Sequence, residues 1–324
     1  MLRQTPKIMY QAPNGADGRR IPYPPTIVDS MTAEVANVLH KDKHLIVWVN
    51  APYWASMIPN ILRDARAILG SKVTLIYDVL DDFTGFSDLA PHTVELQQMH
   101  DIILRDSDII TYTARRMESS LAPHAHKTVY LPNACDPGTW DIRRRKEDRP
   151  IVGYFGVVAE WFDLSTLATI ARTNDVKIEI VGPVNRDLGR TLKLTPNVEY
   201  LGIKHHSELP HIAARWSCAI IPFKKTELTD STDPVKLYEF MAAGLPIVAT
   251  DLDEITTLSQ TMEVDAKPVL IKQGQARMFA RSVKRMIETD SEQKRNARKK
   301  WAMEHSWEAR ANRVVRAIGL EVIV

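Results

Sequence analysis

Lys236 and Glu239 stand three residues apart in the run Pro234-Val235-Lys236-Leu237-Tyr238-Glu239-Phe240-Met241. Residues at that spacing share a helix face, so an ammonium and a carboxylate point the same way near the first turn. The start of a helix carries free backbone N–H groups and about half a positive charge, which draws anions and phosphate in particular. Lys236 adds a full charge there. Glu239, one turn further in, is badly placed for phosphate but well placed to accept hydrogen bonds from a ribose diol, as acidic residues do in nucleotide-binding folds. Together they describe a nucleoside diphosphate lying across the helix start. The plain alternative is a capped amphipathic helix with Lys236 and Glu239 as a solvated pair.

Two further clusters could do chemistry. Asp78, Asp81 and Asp82 crowd the end of an apolar strand. Neighbouring carboxylates raise one another's pKa and can supply a general base; a solvated loop with Asp caps is the other reading. Gly153 and Gly156 follow the start of a second strand run, and glycines after a strand let backbone N–H groups approach a phosphate closely. His92, His100, His124 and His126 show no carboxylate or nucleophile arrangement. His205 and His206 read as polar loop residues.

These groups need elements to hold them. Asp233 before Pro234 predicts an N-cap followed by a residue preset for the first helical position. Gly244 and Pro246 end that helix, and Leu237, Tyr238, Met241 and Ala242 form its core face. Upstream, apolar runs predict strands at 45–49, 73–77, 109–113 and 128–131, with helices at 32–40, 57–69, 91–105 and 114–121 between them. The same alternation continues with strands at 151–155, 177–181, 198–203, 218–223 and 247–250 and helices from 164, over 276–288 and after Ser306. Strands alternating with helices imply an α/β protein with parallel sheets, whose functional residues gather beyond the carboxyl ends of the strands. The mixed-charge run 143–150 reads as a linker between a first domain, 1–142, and a second, 151–300, with a closing segment at 301–324. Its Arg143-Arg144-Arg145-Lys146 run is alternatively a patch for an anionic membrane surface.

A chain of 324 residues accommodates two domains, each with its own core. A formal charge of +2 gives no global electrostatic case for nucleic acid. The only cysteines, Cys135 and Cys218, lack metal-ligand spacing and read as free thiols of a reducing compartment. No apolar run reaches the length of a membrane span and no leader pattern opens the chain, so a cytoplasmic protein is expected, with a peripheral place on the inner membrane face as a further option.

The stretch from Pro234 to Thr250 resembles the donor-binding signature of bacterial glycosyltransferases of the GT-B fold, most similar to glycosyltransferase family 4 and its polysaccharide-forming relatives. That resemblance implies two Rossmann-like domains facing a cleft, and a transferase moving sugar from a nucleotide-diphosphate sugar to a glycan, lipid-linked or other acceptor in cell-surface polysaccharide synthesis. It places the ribose on Glu239 and the donor on Ser231, Thr232, Pro234, Lys236 and Leu237. Ser231 stands where the family often has a second glutamate. The segment Gly153-Tyr154-Phe155-Gly156 followed by Ala159-Glu160-Trp161-Phe162-Asp163 is similar to a variant of the family's phosphate loop. It lacks the arginine and lysine found near this point in other members, so Lys236 with Lys224 or Lys225 becomes the source of neutralising charge. Gly182, Pro183 and Ile203 fall where the family contacts the base. Asp78, Asp81 and Asp82 resemble the family's Tyr-Asp-x-x-Asp-Asp segment facing the cleft, one of them serving as base if the reaction inverts; retention or inversion stays open. The resemblance implies no catalytic metal and no cofactor. The family's first strand-helix unit is expected to be missing from the start of the chain. A sugar-nucleotide epimerase and a non-catalytic nucleotide-sugar-binding partner protein are the competing readings.

Overall fold

The computed structural model describes residues 44–82, 85, 92–145 and 147–320. The expected helix at 32–40 and the shortened amino-terminal domain fall outside these residues. The chain divides into two compact units, one of residues 1–78 with 91–110 and one of 79–90 with 111–324.

In the first sheet β1 (Leu45–Val49), β2 (Val73–Val79), β3 (Ile109–Tyr112) and β4 (Thr128–Tyr130) follow one another in sequence order. β1 and β2 run parallel, with Leu45 opposite Val73 and Val49 opposite Tyr77. In β2, Val73, Leu75, Ile76, Tyr77 and Val79 are all buried, the near-continuous burial of a strand covered on both faces. The intervening Ile58–Leu69 helix buries Ile58, Ile61, Leu62, Ala65 and Leu69, an apolar stripe at helical spacing.

The second unit contains the larger sheet. β5 (Ile151–Phe155), β6 (Lys177–Val181), β7 (Val198–Tyr200), β8 (Cys218–Ile221), β9 (Ile247–Thr250) and β10 (Val269–Ile271) lie in the order β10-β9-β8-β5-β6-β7. Every described pairing in it is parallel. The chain starts in the middle at β5, moves outward to β7, then returns to β8 and moves out the other way. The strand order therefore reverses between β5 and β8, and beyond the carboxyl ends of strands at such a reversal a crevice opens for a ligand.

An aromatic core fixes that crevice's floor. Trp140, fully buried, stacks on Phe155 with ring centroids 5.2 Å apart, and Phe155 stacks in turn on Trp216 at 5.8 Å. The Trp216 ring lies flat over β5 at Gly153, where a Cβ would sit 1.8 Å from Cδ2 of the indole. Trp216 Nε1 donates to Glu179 Oε2 at 2.9 Å, so this tryptophan is anchored through its packing on β5 and at its polar tip. No helix of the described residues is long and apolar enough to cross a membrane.

Candidate functional site

Within the second unit a cavity of about 290 Å3 lies beyond the carboxyl ends of β5, β6 and β7. Phe155 and Gly156 line it from the end of β5, and Val181, Gly182 and Pro183 from the end of β6. Ile203, Lys204, His206 and Leu209 follow β7, and Val235, Lys236 and Glu239 come from the Val235–Ala242 helix.

Two glycines let these strand ends converge. Gly156 has φ +130° and Gly182 φ +121°, both in the region that favours glycine. A Cβ on Gly182 would lie 2.5 Å from the Gly156 carbonyl oxygen, and one on Gly156 would lie 2.8 Å from Lys236 Cε. Backbone thus packs against backbone at one point, and the lysine stem crosses directly over the other.

The helix starts one residue later than expected. Pro234, with ψ 110°, is the N-cap residue, and Val235 opens the helix. Asp233 does not cap it. Its Oδ2 instead accepts the Asn133 backbone N–H at 2.7 Å and the Tyr238 hydroxyl at 2.8 Å, while Asn133 Nδ2 donates to the Asp233 carbonyl at 2.6 Å. The carboxylate that would repel a diphosphate at the helix start is therefore turned into the core, where burial, reinforced by the Glu254 charge, raises its pKa to about 7 against the bonds it receives.

Lys236 is half-buried. Its Nζ lies 5.2 Å from the centre of the Phe223 ring and 5.6 Å from that of Tyr154, a cation held on aromatic faces. Burial lowers its pKa, and the charges of Glu239 and Asp81 partly restore it. No ion pair joins it to Glu239 among the described residues. Glu239, only 8% exposed, has its own partner: Oε1 meets His206 Nε2 at 2.7 Å. Burial raises the Glu239 pKa, and the His206 bond and the charges of His206 and Lys236 oppose that rise.

Of the residues expected in a donor site, the cavity brings together Gly156, Gly182, Pro183, Ile203, Lys236 and Glu239. The others sit elsewhere. Gly153 lies inside β5 beneath Trp216, and Leu237 faces the core while its N–H donates to the Pro234 carbonyl at 2.9 Å. The Ser231 and Thr232 hydroxyls donate to the carbonyls of Glu227 and Leu228, each at 2.8 Å. Glu160 is exposed, and its carbonyl accepts the Lys224 ammonium at 2.8 Å. Lys225 is held by Asp253 at 2.7 Å and Asp230 at 3.4 Å, so it is not a free source of charge for the cavity. Asp78 accepts the Trp48 indole N–H at 3.1 Å in the first unit, while Asp81 and Asp82 belong to the second.

Sequence reasoning missed Lys204 and the role of His206. Thirty-three positions separate His206 from Glu239, and no spacing rule links a loop to a helix at that distance. The basic run before β5 is also partly internal: Arg144 pairs with Asp290 at 3.1 Å and bonds the Trp216 carbonyl, leaving Arg143 and Arg145 exposed. No group of three or more His, Cys, Asp or Glu side chains that could hold a metal ion occurs among the described residues.

Known proteins resemble this chain in sequence and in fold. Residues 149–289 match the family model of the glycosyl transferases group 1. The chain is 25% identical over 174 residues to TuaH of Bacillus subtilis (strain 168), named as a teichuronic acid biosynthesis glycosyltransferase. That match covers 49% of this chain and 44% of the relative, so the similarity spans less than half of either protein. The crystal structure of Anabaena HepE in complex with UDP superposes with a TM-score of 0.68 at 14% identity, covering 91% of this chain and 82% of that one. Sucrose-phosphate synthase from Thermosynechococcus elongatus superposes at 0.69 and 16% identity, covering 91% and 77%. These likenesses show the fold: α/β with parallel sheets, of the GT-B type expected from the sequence.

Proposed function

We propose that this chain, whose residues 149–289 make up a glycosyl transferases group 1 domain, is a glycosyltransferase that moves a sugar from a nucleotide-diphosphate donor to an acceptor of cell-surface polysaccharide synthesis. One observation carries the reading. At the switch point of a parallel sheet, a single cavity gathers the glycine pair Gly156 and Gly182, the ammonium of Lys236 and the buried carboxylate of Glu239. A diphosphate fits the first three, because close backbone, a helix start and a desolvated cation all favour a dense anion. A ribose diol fits the fourth.

Breaking the anomeric bond builds negative charge on the departing diphosphate. Lys236 and the first N–H groups of the Val235–Ala242 helix are aimed at that charge and lower the barrier by stabilising it. Burial weakens Lys236's hold on its proton, and an arriving dianion reverses that, so charge is drawn to the site as the donor binds. Asp78, Asp81 and Asp82 are the residues from which a general base for the acceptor hydroxyl is drawn. The acceptor is a glycan or a lipid-linked sugar, the division near 143–150 separates acceptor and donor domains, and Arg143 and Arg145 are the basic residues that would meet an anionic inner membrane face.

UDP is the first ligand to test, since the Anabaena relative is solved with it. Thermal shift against UDP, ADP, GDP and their sugars should raise the melting temperature for one base family, because a ligand that binds only the folded state stabilises it. Donor turnover should then require an acceptor. Conversion of the donor to an epimer without acceptor would overturn the reading, as would absence of any shift.

A further inference from the structure

We infer that His206 is a positioning residue for the donor's ribose, acting through Glu239; this rests on the donor-site reading above. Among the described residues His206 is the one imidazole in the cavity lining, and its Nε2 meets Glu239 Oε1 at 2.7 Å. The two residues come from different elements, the loop after β7 and the Val235–Ala242 helix, so their contact is set by tertiary structure and not by helix spacing.

Both sides of the contact are built. The turn His206–Glu208 is closed by a reciprocal cap, in which the His205 N–H donates to Glu208 Oε2 at 2.9 Å while the Ser207 N–H reaches His205 Nδ1. The His206 ring stands edge-on to Trp140 at 5.9 Å between centroids, and Trp140 is itself pinned on Phe155 in the core. On the other side, Glu239 lies in the part of the helix that is buried from Leu237 onward and is itself 8% exposed, so its carboxylate has lost most of its water.

A buried carboxylate without donors is strongly disfavoured. The charges facing it are Lys236 on its own helix and His206 from the opposite loop, with Cys135 near enough to feel its field. Lys236 makes no hydrogen bond to it among the described residues, which leaves His206 as the side chain that fixes its rotamer. A carboxylate offers about four lone-pair positions, and His206 occupies one. The remaining positions are free for two ribose hydroxyls. His206 thus holds the Glu239 carboxyl turned so that the diol, not the base or the phosphates, is what Glu239 reads.

The test is the ratio of affinities for a ribonucleotide and its dideoxy counterpart. Titration calorimetry is run on the full chain with UDP, ADP and GDP, and with the 2′,3′-dideoxy form of whichever binds. Wild type should prefer the ribonucleotide by roughly ten-fold to a hundred-fold, the loss of charge-assisted hydrogen bonds. In His206→Ala that preference should shrink to about three-fold or less, with affinity for the dideoxynucleotide unchanged. His206→Gln, whose amide nitrogen can still donate to Glu239, should recover most of the preference. If His206→Ala keeps the wild-type preference, or loses affinity for both ligands equally, the positioning role is wrong while the donor site stands. Wild type that binds no nucleotide would overturn the donor site and this inference with it.

Discussion

The hydroxyl of Tyr238 donates to Asp233 Oδ2 at 2.8 Å, joining the core face of the Val235–Ala242 helix to the residue that precedes its cap. Asp233 is 2% exposed, and its other oxygen, Oδ1, has no hydrogen-bond partner. Its folded pKa of about 7 lies above the value of roughly 4 for an unfolded Asp. Between those values the folded state holds a proton that the unfolded state releases, so this group's contribution to stability falls as pH rises from about 4 to 7. Asp233→Asn removes that slope. Urea denaturation should therefore show the variant gaining on wild type between pH 5 and pH 8, by up to about 3 kcal/mol. A difference that stays constant with pH would mean that Asp233 is ionised throughout.

Lys236→Met tests the phosphate assignment without endangering the fold. The ammonium sits over the rings of Phe223 and Tyr154, and burial works against its charge. Replacing it with an apolar chain of similar length should leave the melting temperature equal to wild type or higher. Affinity for the donor nucleotide should fall about ten-fold to a hundred-fold, the cost of one charge-assisted contact. Equal affinity in the two proteins, measured by the same calorimetry, would remove Lys236 from the donor site.

The three glycines Gly153, inside β5, and Gly156 and Gly182, at the strand ends, should respond to alanine in a definite order. At Gly153 the new Cβ would fall 1.8 Å from the Trp216 indole, which is fully buried and bonded to Glu179. At Gly182 it would meet the Gly156 carbonyl at 2.5 Å with φ +121°, and at Gly156 the flexible Lys236 stem at 2.8 Å with φ +130°. Overpacking against a rigid ring or against backbone costs on the order of 1–3 kcal/mol or more; Gly156 shares the φ strain of Gly182 but meets only a movable lysine stem, which costs less. Chemical denaturation should rank Gly156→Ala as the mildest. Gly156→Ala, unlike Gly153→Ala, should lose donor affinity out of proportion to stability, because it displaces Lys236.

That contrast also shows what the sequence could and could not carry. Gly153 and Gly156 are equivalent in a reading of the chain, two glycines near a strand end, and only the position of Trp216, 63 residues beyond the first, separates a packing glycine from a cavity glycine. β5, β6, β8 and β9 were legible because each apolar run is short, bounded by turn residues and buried on both faces, whereas β10 and the helices Asp253–Thr261 and Glu292–Glu304 were not expected from the sequence. The helix at 235 was legible in place and in its Lys236 and Glu239 face. Its cap was not, since Asp-Pro is an ideal start by local chemistry and the competing partner of Asp233 a hundred positions away, Asn133, is set by tertiary contact. His206 left no local signal, because its significance lies wholly in the residue it meets.

The far end of the same helix is held by a buried charge cluster whose loss should be severe. Arg298, 1% exposed, donates to the Gly244 carbonyl through Nε at 3.2 Å and Nη2 at 3.0 Å, closing the chain just after the helix, and pairs with Asp290. Asp290 also takes Arg144 at 3.1 Å and Arg295 at 2.8 Å. Burial pushes the Asp290 carboxyl up, but the Arg298 charge and the bonds from Arg295 and Arg298 outweigh it and hold the pKa below the usual carboxylate value. Its contribution is thus present above pH 4 or so and is lost as pH falls through the lowered folded value. Asp290→Ala leaves guanidinium groups buried without their counter-charge, which typically costs about 3–5 kcal/mol. Denaturation at pH 7 should show that loss, and at pH values below the folded pKa of Asp290 the gap between variant and wild type should narrow. A variant as stable as wild type at pH 7 would show that the arginines are hydrated and the cluster is ornamental to the fold.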